Sequence, residues 1–374
     1  MRPRTVADIE RAVSSAFPPE WAEEWDKVGL LAGDPDRAAT GVVFALDPTR
    51  GALAECVRLG ANVLVTHHPA FLTPPSCVRP GRGPGGVLFA ALDSGVALIN
   101  AHTNLDRAPA AASLLPDTLG LTVVKPIERR TMPMAHITVF VPPASSERVV
   151  GAMLGAGAGR IGEYSGCSYT SPAGSGVFTP GADSHPSVGK PSDTEATPEV
   201  RVEVVAPRSR ARGVVCAARA AHPYEEPLIV ATDVEIARSV ARMGALCSPA
   251  APLTLEELAV AASASFGITP RVWGDPGATL TRVATATGSA GSLIGDVLAS
   301  GAQALVAGEV RYHDALDALE AGLCIIELGH DVSEWPLVSL LYRAVAGIEG
   351  LDPKSLHVLE SKPSWWTPQQ GRPE

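Results

Sequence analysis

The sequence predicts an α/β protein built in two parts, with a smaller α+β domain inserted between them. From residue 41 to about 131, and again after Arg242, short apolar segments alternate with helical patterns, which is the order typical of β-α-β units. Between these regions, charged residues alternate with valines over residues 200–205, a pattern that indicates a half-exposed antiparallel strand. With 374 residues, 46% of them hydrophobic, the chain is long enough for more than one domain.

The composition argues against several classes of function. A net charge of −10 disfavours a broad surface for nucleic acid or for a membrane, and an aromatic content of 5% disfavours base stacking. No apolar segment approaches the roughly 20 residues that span a bilayer. Charged residues such as Arg2, Arg4 and Asp8 make the start of the chain unlike a secretory signal. Since the six cysteines form no C-x-x-C pair, we expect a reduced cytoplasmic protein.

The first part of the chain is predicted to alternate between helices and strands. Apolar residues at helical spacing predict the first helix, which Pro18 and Pro19 end. A Pro/Gly-rich loop over residues 74–86 interrupts the alternation. In chain order, the predicted elements are helix 6–17, strand 42–46, helix 50–59, strand 63–65, helix 87–94 and strand 96–99.

The alternation stops at about Met132 and resumes after Arg242. The elements predicted between these points are strand 136–141, helix 145–155, a long loop over 155–198, strand 200–205, helix 210–221 and strand 228–231. This β-α-β-α-β order suggests a small ferredoxin-like insert. We therefore expect a first half over residues 1–131, an insert over 132–236, a second half over 237–360 and a flexible tail over 361–374.

The second half returns to the α/β order. Its predicted elements are helix 254–266, strand 283–287, helix 292–300, strand 304–306, helix 312–321, strand 324–328 and a final helix that opens at 329–334 and continues towards 345. Polar residues again follow a strand end here, as they do after the strands of the first half. This repetition is expected of β-α-β units.

Two adjacent histidines, His67 and His68, follow the apolar strand of residues 63–65 and precede Pro69. In open α/β sheets, ligands bind outside the carboxyl ends of the strands. Neighbouring side chains on an extended backbone point to opposite sides, so these two histidines would reach two centres more easily than one. A pair of metal ions is one way to use both. The segment 100–106, which contains His102 and ends in Asp106, follows the next strand.

A third cluster lies at the start of the final helix. His330 and Glu334 are four residues apart, so in a helix they share a face and could hold one ion, although Asp331 could replace Glu334. The full set is His67, His68, Asp106, His330 and Glu334. These imidazoles and carboxylates suit zinc, iron or manganese, and two ions about 3.5–4 Å apart would activate a water. One carboxylate would have to bridge the ions, because two closed sites need more than five monodentate ligands.

Spacing alone leaves alternatives open. A pair of adjacent histidines is often only a loop feature, and Glu309 and His313 have the same four-residue spacing as His330 and Glu334. His102 could be a ligand or could hydrogen-bond to one. A glycine-rich turn over residues 288–292 could cradle an anion, but without a P-loop lysine a tight strand-to-helix turn is the better interpretation.

Taken together, the motifs resemble those of the YbgI/YqfO-type (NIF-three-like) dinuclear metal-centre family. The metal motifs are Thr66-His67-His68-Pro69, Asn100-Ala101-His102-Thr103-Asn104-Leu105-Asp106 and Gly329-His330-x-x-Ser333-Glu334. Two further motifs fit, Trp25-Asp26-x-Val28-Gly29-Leu30-Leu31 and Gly308-Glu309-x-x-Tyr312-His313. In the insert, Ala221-His222-Pro223-Tyr224-Glu225-Glu226 is similar to the longer branch of the family, whose insert resembles PII and CutA-like ferredoxin folds.

The resemblance implies a set of roles for these positions. Its metal ligands fall on His67, His68, Asp106, His330 and Glu334, which would hold two divalent ions per chain, with Asp106 and Glu334 the candidates to bridge them. Glu309 and His313 would line the pocket, and together with His102 they are the candidate catalytic residues that move protons. Family members resemble hexameric toroids, so a homohexamer is expected. Many carry the label of a GTP cyclohydrolase 1 type 2 homolog.

Two function classes follow from the resemblance. The first is a metal-dependent hydrolase that activates water for attack on a small molecule, with the nucleotide GTP as the first candidate substrate. The alternative is a metal-binding regulatory or scaffold protein whose insert senses a ligand or partner. The sequence departs from the family at Ala307, where threonine is frequent, and at Lys27, where asparagine is common. Neither is a ligand position.

Overall fold

The computed structural model describes residues 3–360 except 24, 129–130, 163 and 238–240, together with Trp365. The chain divides into two compact units, unit 1 comprising Met1–Glu128 with Val240–Glu374 and unit 2 comprising Arg129–Ser239. Apart from Trp365, the predicted tail lies outside the described residues. No helix of the described residues is long and apolar enough to cross a membrane.

The α-helices of the described residues are mostly those expected from apolar periodicity. They are α1 Val6–Ala16, α2 Arg50–Arg58, α3 Pro84–Ser94, α4 Thr103–Asp106, α5 Ala111–Leu119, α6 Ser146–Gly155, α7 Ala211–Ala221, α8 Leu255–Phe266, α9 Ile294–Ser300, α10 Tyr312–Glu320, α11 His330–Glu334 and α12 Val338–Ala346. Local chemistry fixes their ends. At α1, for example, the Thr5 hydroxyl accepts from the Asp8 backbone N–H and the Asp8 carboxylate accepts from the Thr5 N–H, which is a capping box.

The β-strands are short, and several of them were not predicted. They are β1 Gly29–Ala32, β2 Val42–Ala45, β3 Val63–Thr66, β4 Ala97–Asn100, β5 Thr122–Pro126, β6 Thr131–Val141, β7 Tyr169–Thr170, β8 Gly174–Phe178, β9 Glu195–Pro207, β10 Ile229–Ala237, β11 Ala245–Ser248, β12 Leu253–Thr254, β13 Arg271–Trp273, β14 Thr279–Leu280, β15 Val283–Ser289, β16 Ala304–Glu309, β17 Cys324–Glu327 and β18 Leu356–Val358. Together with the helices they form a mixed α/β fold, as the sequence predicts.

The first sheet of unit 1 has the strand order β1-β4-β3-β2-β18. Strands β18, β2, β3 and β4 run parallel, and β1 pairs antiparallel with β4. Helices α1 and α12 cover one face and α2 and α3 cover the other, through residues such as Ile9, Leu341, Leu53 and Leu88. As expected when both faces are covered, the central strands are buried throughout, and they are apolar except for the terminal Thr66 and Asn100. The carboxyl ends of β3 and β4 therefore lie side by side.

The second sheet of unit 1 has the order β13-β17-β16-β15-β11-β5. Its central strands β15, β16 and β17 are parallel, and the strands on either side pair antiparallel. Side chains of α9 and α10, such as Val297 and Ala315, pack on one face, and those of α5 and α8, such as Leu115 and Leu258, pack on the other. The carboxyl ends of β15, β16 and β17 are therefore adjacent in this sheet.

Unit 2 contains one antiparallel sheet with the order β10-β6-β9-β7, and β8 also pairs with β9. Valines of β6 and β9 pack against Val149 of α6 and Val214 of α7. The long loop predicted over 155–198 is wrong in part, because β7, β8 and the start of β9 lie within it. Their exposed side chains, among them Tyr169 and Val177, leave no apolar alternation to detect.

The predicted final helix is also not continuous. It begins at His330 as expected, but α11 ends at Glu334, a 3-10 turn spans Trp335–Leu337, and α12 then carries the chain to Ala346. Pro336 has no backbone N–H to donate to the preceding turn, so the chain changes helix type there. The unpredicted strands β1, β11, β13 and β18 are only three or four residues long, too short for a period to be measured.

Candidate metal centre

The adjacent histidines lie at the carboxyl end of β3. The backbone N–H groups of His67 and His68 donate to Ala45 O at 3.3 Å and Leu46 O at 2.9 Å, which continues the pairing of β3 with β2. His67 is fully buried, whereas the side chain of His68 is 21% exposed. The sheet thus fixes the backbone that carries both imidazoles.

Asp106 reaches the same place from α4, the single helical turn that follows β4. Its carboxylate is buried, and Oδ1 accepts from the Thr287 hydroxyl at 2.9 Å. Thr287 belongs to β15 of the second sheet, so this hydrogen bond joins the ends of the two sheets. The Nε2 atom of His67 lies 3.8 Å from the same Oδ1 atom.

Helix α11 places Glu334 at the centre of the group. His330 and Glu334 do share one face, with His330 Nε2 3.1 Å from Glu334 Oε2. The same oxygen lies 2.9 Å from His68 Nε2. Gly288, at φ +58°, packs against this carboxylate, and a Cβ there would lie 2.1 Å from Glu334 Oε1. A larger residue at position 288 would therefore displace the Glu334 carboxylate.

These side chains form three overlapping groups that could each hold a metal ion, with ligand atoms within 4.8 Å of one another. The groups are His67, Asp106 and Glu334; His68, His330 and Glu334; and His67, His68 and His102. We call their union the cluster. Because Glu334 belongs to two groups, one carboxylate lies between two candidate positions.

The histidine rings of the cluster are held in one orientation by their outer nitrogens. His67 Nδ1 lies 3.0 Å from Ala101 O, and His68 Nδ1 lies 2.8 Å from Asp47 Oδ1. His330 Nδ1 lies 3.1 Å from Glu309 Oε1. Carbonyl and carboxylate oxygens only accept, so each Nδ1 donates its proton and each neutral ring presents the Nε2 lone pair to the cluster. This is the tautomer that a metal ion requires.

His67 Nε2 is buried without a hydrogen-bond partner, and Glu334 Oε2, with two imidazole nitrogens within 3.1 Å, also lacks one as long as those rings carry their protons on Nδ1. His67 Nε2 lies 3.6 Å from Glu334 Oε1, so a lone pair faces a carboxylate. Such acceptors repel one another unless a cation or a proton lies between them. The donor set of imidazole nitrogens and carboxylate oxygens therefore fits one or more divalent metal ions.

Without a metal, the carboxylates keep protons on the histidines. Burial lowers the pKa of His68, but its contacts with Asp47 and Glu334 outweigh burial and raise the pKa to about 10. The hydrogen bond to Glu334, opposed by burial, raises the pKa of His330 to about 9. Burial raises the pKa of Asp106, whereas the histidines outweigh burial at Glu334 and hold its pKa well below the usual range.

The candidate catalytic residues differ in their distance from the cluster. The centroid of the His102 ring lies 5.3 Å from that of the His67 ring and 5.7 Å from that of the His68 ring. Glu309 contacts His330 directly. His313 is exposed, and the contact found for its ring is with Tyr312, at 5.4 Å. Among the described residues, the groups that could hold a metal do not include His313 or Glu309.

Three residues that contact the cluster were not singled out from the sequence as part of the site. Asp47 and Thr287 hydrogen-bond to His68 and Asp106, and Asp26 hydrogen-bonds to His102. Asp47 and Thr287 lie just after β2 and within the end of β15, so the rule that polar residues at strand ends form sites could have found them. Asp331, the alternative to Glu334, instead accepts from Trp365 Nε1 at 3.2 Å.

Comparisons with known proteins identify the family of the chain. A sequence model of the Duf34/NIF3 (NGG1p interacting factor 3) family matches residues 4–359. A relative from Mycobacterium tuberculosis (strain ATCC 25618 / H37Rv), named GTP cyclohydrolase 1 type 2 homolog, is 34% identical over 339 residues and covers 88% of each chain. A relative of the same name from Halalkalibacterium halodurans is 32% identical and covers 85% of this chain and 86% of its own.

A solved structure has a similar fold. The crystal structure of a Bacillus cereus protein related to NIF3 is 29% identical, with a TM-score of 0.63, and covers 98% of this chain and all of its own. Fold and cluster together define an α/β protein with His/Asp/Glu groups, at the carboxyl ends of two sheets, that could hold metal ions. The chain belongs to the Duf34/NIF3 family, which confirms the resemblance drawn from its motifs.

Proposed function

We propose that this protein is a metal-dependent hydrolase that holds two divalent ions per chain. One ion would be bound by His67, Asp106 and Glu334 and the other by His68, His330 and Glu334, with Glu334 as the bridge. The observation that carries this proposal is that three imidazole Nε2 atoms, from His67, His68 and His330, converge on the buried Glu334 carboxylate, and that His67 Nε2 has no hydrogen-bond partner there.

The donor set suits zinc, iron or manganese, because imidazole and carboxylate are ligands for all three and no cysteine lies in the cluster. When bound, such ions polarise a substrate and lower the pKa of a coordinated water to about 7. The chain's own residues then have defined tasks. Asp47 and Glu309 hold the rings of His68 and His330, and Thr287 holds Asp106.

We assign the proton-moving roles to His102, Glu309 and His313. The ring of His102 lies beside both His67 and His68. Glu309 would act through His330, whose Nδ1 it contacts. His313 would have to reach the cluster from its exposed position on α10.

The proposed substrate is a small molecule of the nucleotide class, with GTP as the first to try. This choice follows the names of the relatives, which are homologs of GTP cyclohydrolase 1 type 2. A regulatory or scaffold function is the second candidate, because unit 2 forms a compact body with a core of its own and so could bind a separate ligand.

We also propose that unit 2 is a ferredoxin-like module of the PII and CutA-like type. Its two helices and its antiparallel strand order, with β6 and β9 in the centre, support this assignment. A homohexamer remains a prediction from the family resemblance. Light scattering on the purified full chain tests it directly.

The hydrolase proposal is tested with metal-loaded protein and a panel of nucleotides, phosphoesters and amides. We expect GTP turnover with a ring-opened formamido product, and we expect Asp106→Asn to abolish turnover while the protein stays folded. If metal-loaded protein leaves the whole panel unchanged but binds one member, the regulatory function replaces the hydrolase.

A further inference from the structure

The segment Trp25-Asp26-Lys27, for which no role was assigned, contacts the cluster through His102. Asp26 is buried, and its Oδ1 atom lies 2.9 Å from His102 Nδ1. The Trp25 ring stands edge-on to the His102 ring, with centroids 6.0 Å apart. His102 is therefore held between a buried carboxylate on one side and an indole on another.

The Asp26 carboxylate is surrounded by hydrogen-bond donors. Oδ1 accepts from the Lys27 N–H at 2.7 Å as well as from His102. Oδ2 accepts from the Thr103 N–H at 3.0 Å and from the Thr103 hydroxyl at 2.5 Å. Burial alone would raise the pKa of Asp26, but the bonds from His102 and Thr103 outweigh it and hold the pKa at about 2. The carboxylate is thus ionised at any physiological pH.

An ionised acceptor at Nδ1 determines what the other ring nitrogen can do. Because Asp26 Oδ1 can only accept, His102 Nδ1 must carry a proton, and the neutral ring has its lone pair on Nε2. His102 belongs with His67 and His68 to one of the three groups whose ligand atoms lie within 4.8 Å of one another. Since Asp26 holds Nδ1, Nε2 is the ring nitrogen left as an acceptor for that group.

We infer that Asp26 is a positioning residue that fixes His102 with Nε2 as a hydrogen-bond acceptor facing the cluster. This inference rests on the proposed function for its catalytic consequence. The carboxylate cannot be replaced by an amide without cost, because both oxygens face a backbone N–H, from Lys27 and from Thr103. An asparagine that turned its NH2 group towards His102 would favour the wrong tautomer, with the proton on Nε2.

The test is the tautomer of His102 in the zinc-loaded full chain, measured by 15N NMR with labelled histidine. The chain has nine histidines, and the signals of His102 are those that disappear from the spectrum of the His102→Gln variant. We expect wild-type His102 to carry its proton on Nδ1 and Asp26→Asn to increase the Nε2–H form, whereas Asp26→Glu should restore Nδ1–H. The matched control Asp47→Asn removes the equivalent partner of His68 and should leave the His102 signals unchanged.

Where GTP turnover is measurable, Asp26→Asn should lower kcat about 10–100-fold with KM and zinc content unchanged. Wild-type His102 protonated on Nε2 overturns the inference without any variant, and an Asp26→Asn protein with an unchanged tautomer overturns it as well. The absence of turnover by the wild type would instead contradict the proposed function, because the tautomer is measured without substrate.

Discussion

At the scale of single residues, the candidate site depends on Nε2 atoms and carboxylate oxygens that face one another. Each outer nitrogen of His67, His68 and His330 is bound by an acceptor, which leaves the inner atoms for a cation. Replacing one ligand should therefore affect metal content before it affects the fold. Replacing a partner of a ligand should weaken binding without removing it.

His67→Ala and His330→Ala should each lose metal, because every proposed ion has only three ligand side chains from this chain. Glu309→Ala should retain both ions at saturating metal, since Glu309 contacts only the outer nitrogen of His330. Elemental analysis of the purified variants measures this. Full metal content in His67→Ala, or loss of metal in Glu309→Ala, would contradict the assignment of ligands.

Gly288→Ala should lose metal although position 288 carries no ligand atom. The added Cβ would lie 2.1 Å from Glu334 Oε1, and the backbone at φ +58° would add a strain of about 1–2 kcal/mol. The matched control is Gly295→Ala in α9, where a Cβ meets nothing within 4 Å. Equal metal content in both variants would show that Glu334 does not need this space.

The metal-free protein should become less stable as the pH rises from about 7 to 10. The raised pKa values of His68, about 10, and His330, about 9, mean that protonated rings stabilise the folded state. That contribution is complete below the ordinary pKa of 6.5 and is lost as the pH passes through 9 and 10. Thermal unfolding at several pH values, with and without metal, measures it. A metal-free Tm that rises across this range would be contrary to expectation.

At the scale of elements, the site depends on short helices that follow strand ends. Most of this arrangement could be predicted, because His67, Asp106 and His330 each follow an apolar strand or its first turn. The break of the last helix at Pro336 and the contacts of Asp47 could not. These depend on which strands become neighbours, and apolar periodicity does not contain that information.

Helix α4, which carries Asp106, is anchored at its end by a buried cation. Arg107 is 2% exposed and donates to Glu128, to Trp21 O and to Glu23. Arg107→Met should remove the cation that faces the buried Glu128 carboxylate and cost about 3–5 kcal/mol. The control is Arg58→Met in the exposed pair of Arg58 and Glu55, which should have little effect on the denaturation midpoint. Chemical denaturation compares the two variants, and equal midpoints would show that the Arg107 network does not stabilise the fold.

At the scale of the whole molecule, the sequence of unit 1 is interrupted by the residues that form unit 2. The segment of unit 1 that precedes unit 2 is hydrogen-bonded to the segment that follows it. The N–H groups of Ile127 and Glu128 donate to Gly244 O at 3.2 Å and Met243 O at 3.1 Å. The sequence indicated an interruption because the α/β order stops and resumes. It did not indicate β7 or β8, whose residues are exposed or half-buried and none fully buried.

Replacing residues 129–239 with a short Gly/Ser linker should leave the metal content of unit 1 unchanged. The two hydrogen-bonded segments hold the two chain ends close together, so a short linker can join them without moving the sheets. Solubility, Tm and metal content of the shortened chain are measured against the full chain. An insoluble or metal-free product would mean that unit 1 depends on the insert to fold.

We propose that the cluster holds two ions bridged by Glu334. The most direct measurement is anomalous diffraction from crystals of the metal-loaded protein, collected at the absorption edge of the bound metal. We predict two anomalous peaks about 3.5–4 Å apart, one beside His67 and Asp106 and one beside His68 and His330, with Glu334 in contact with both. A single peak, or two peaks of which Glu334 contacts neither, would contradict the account.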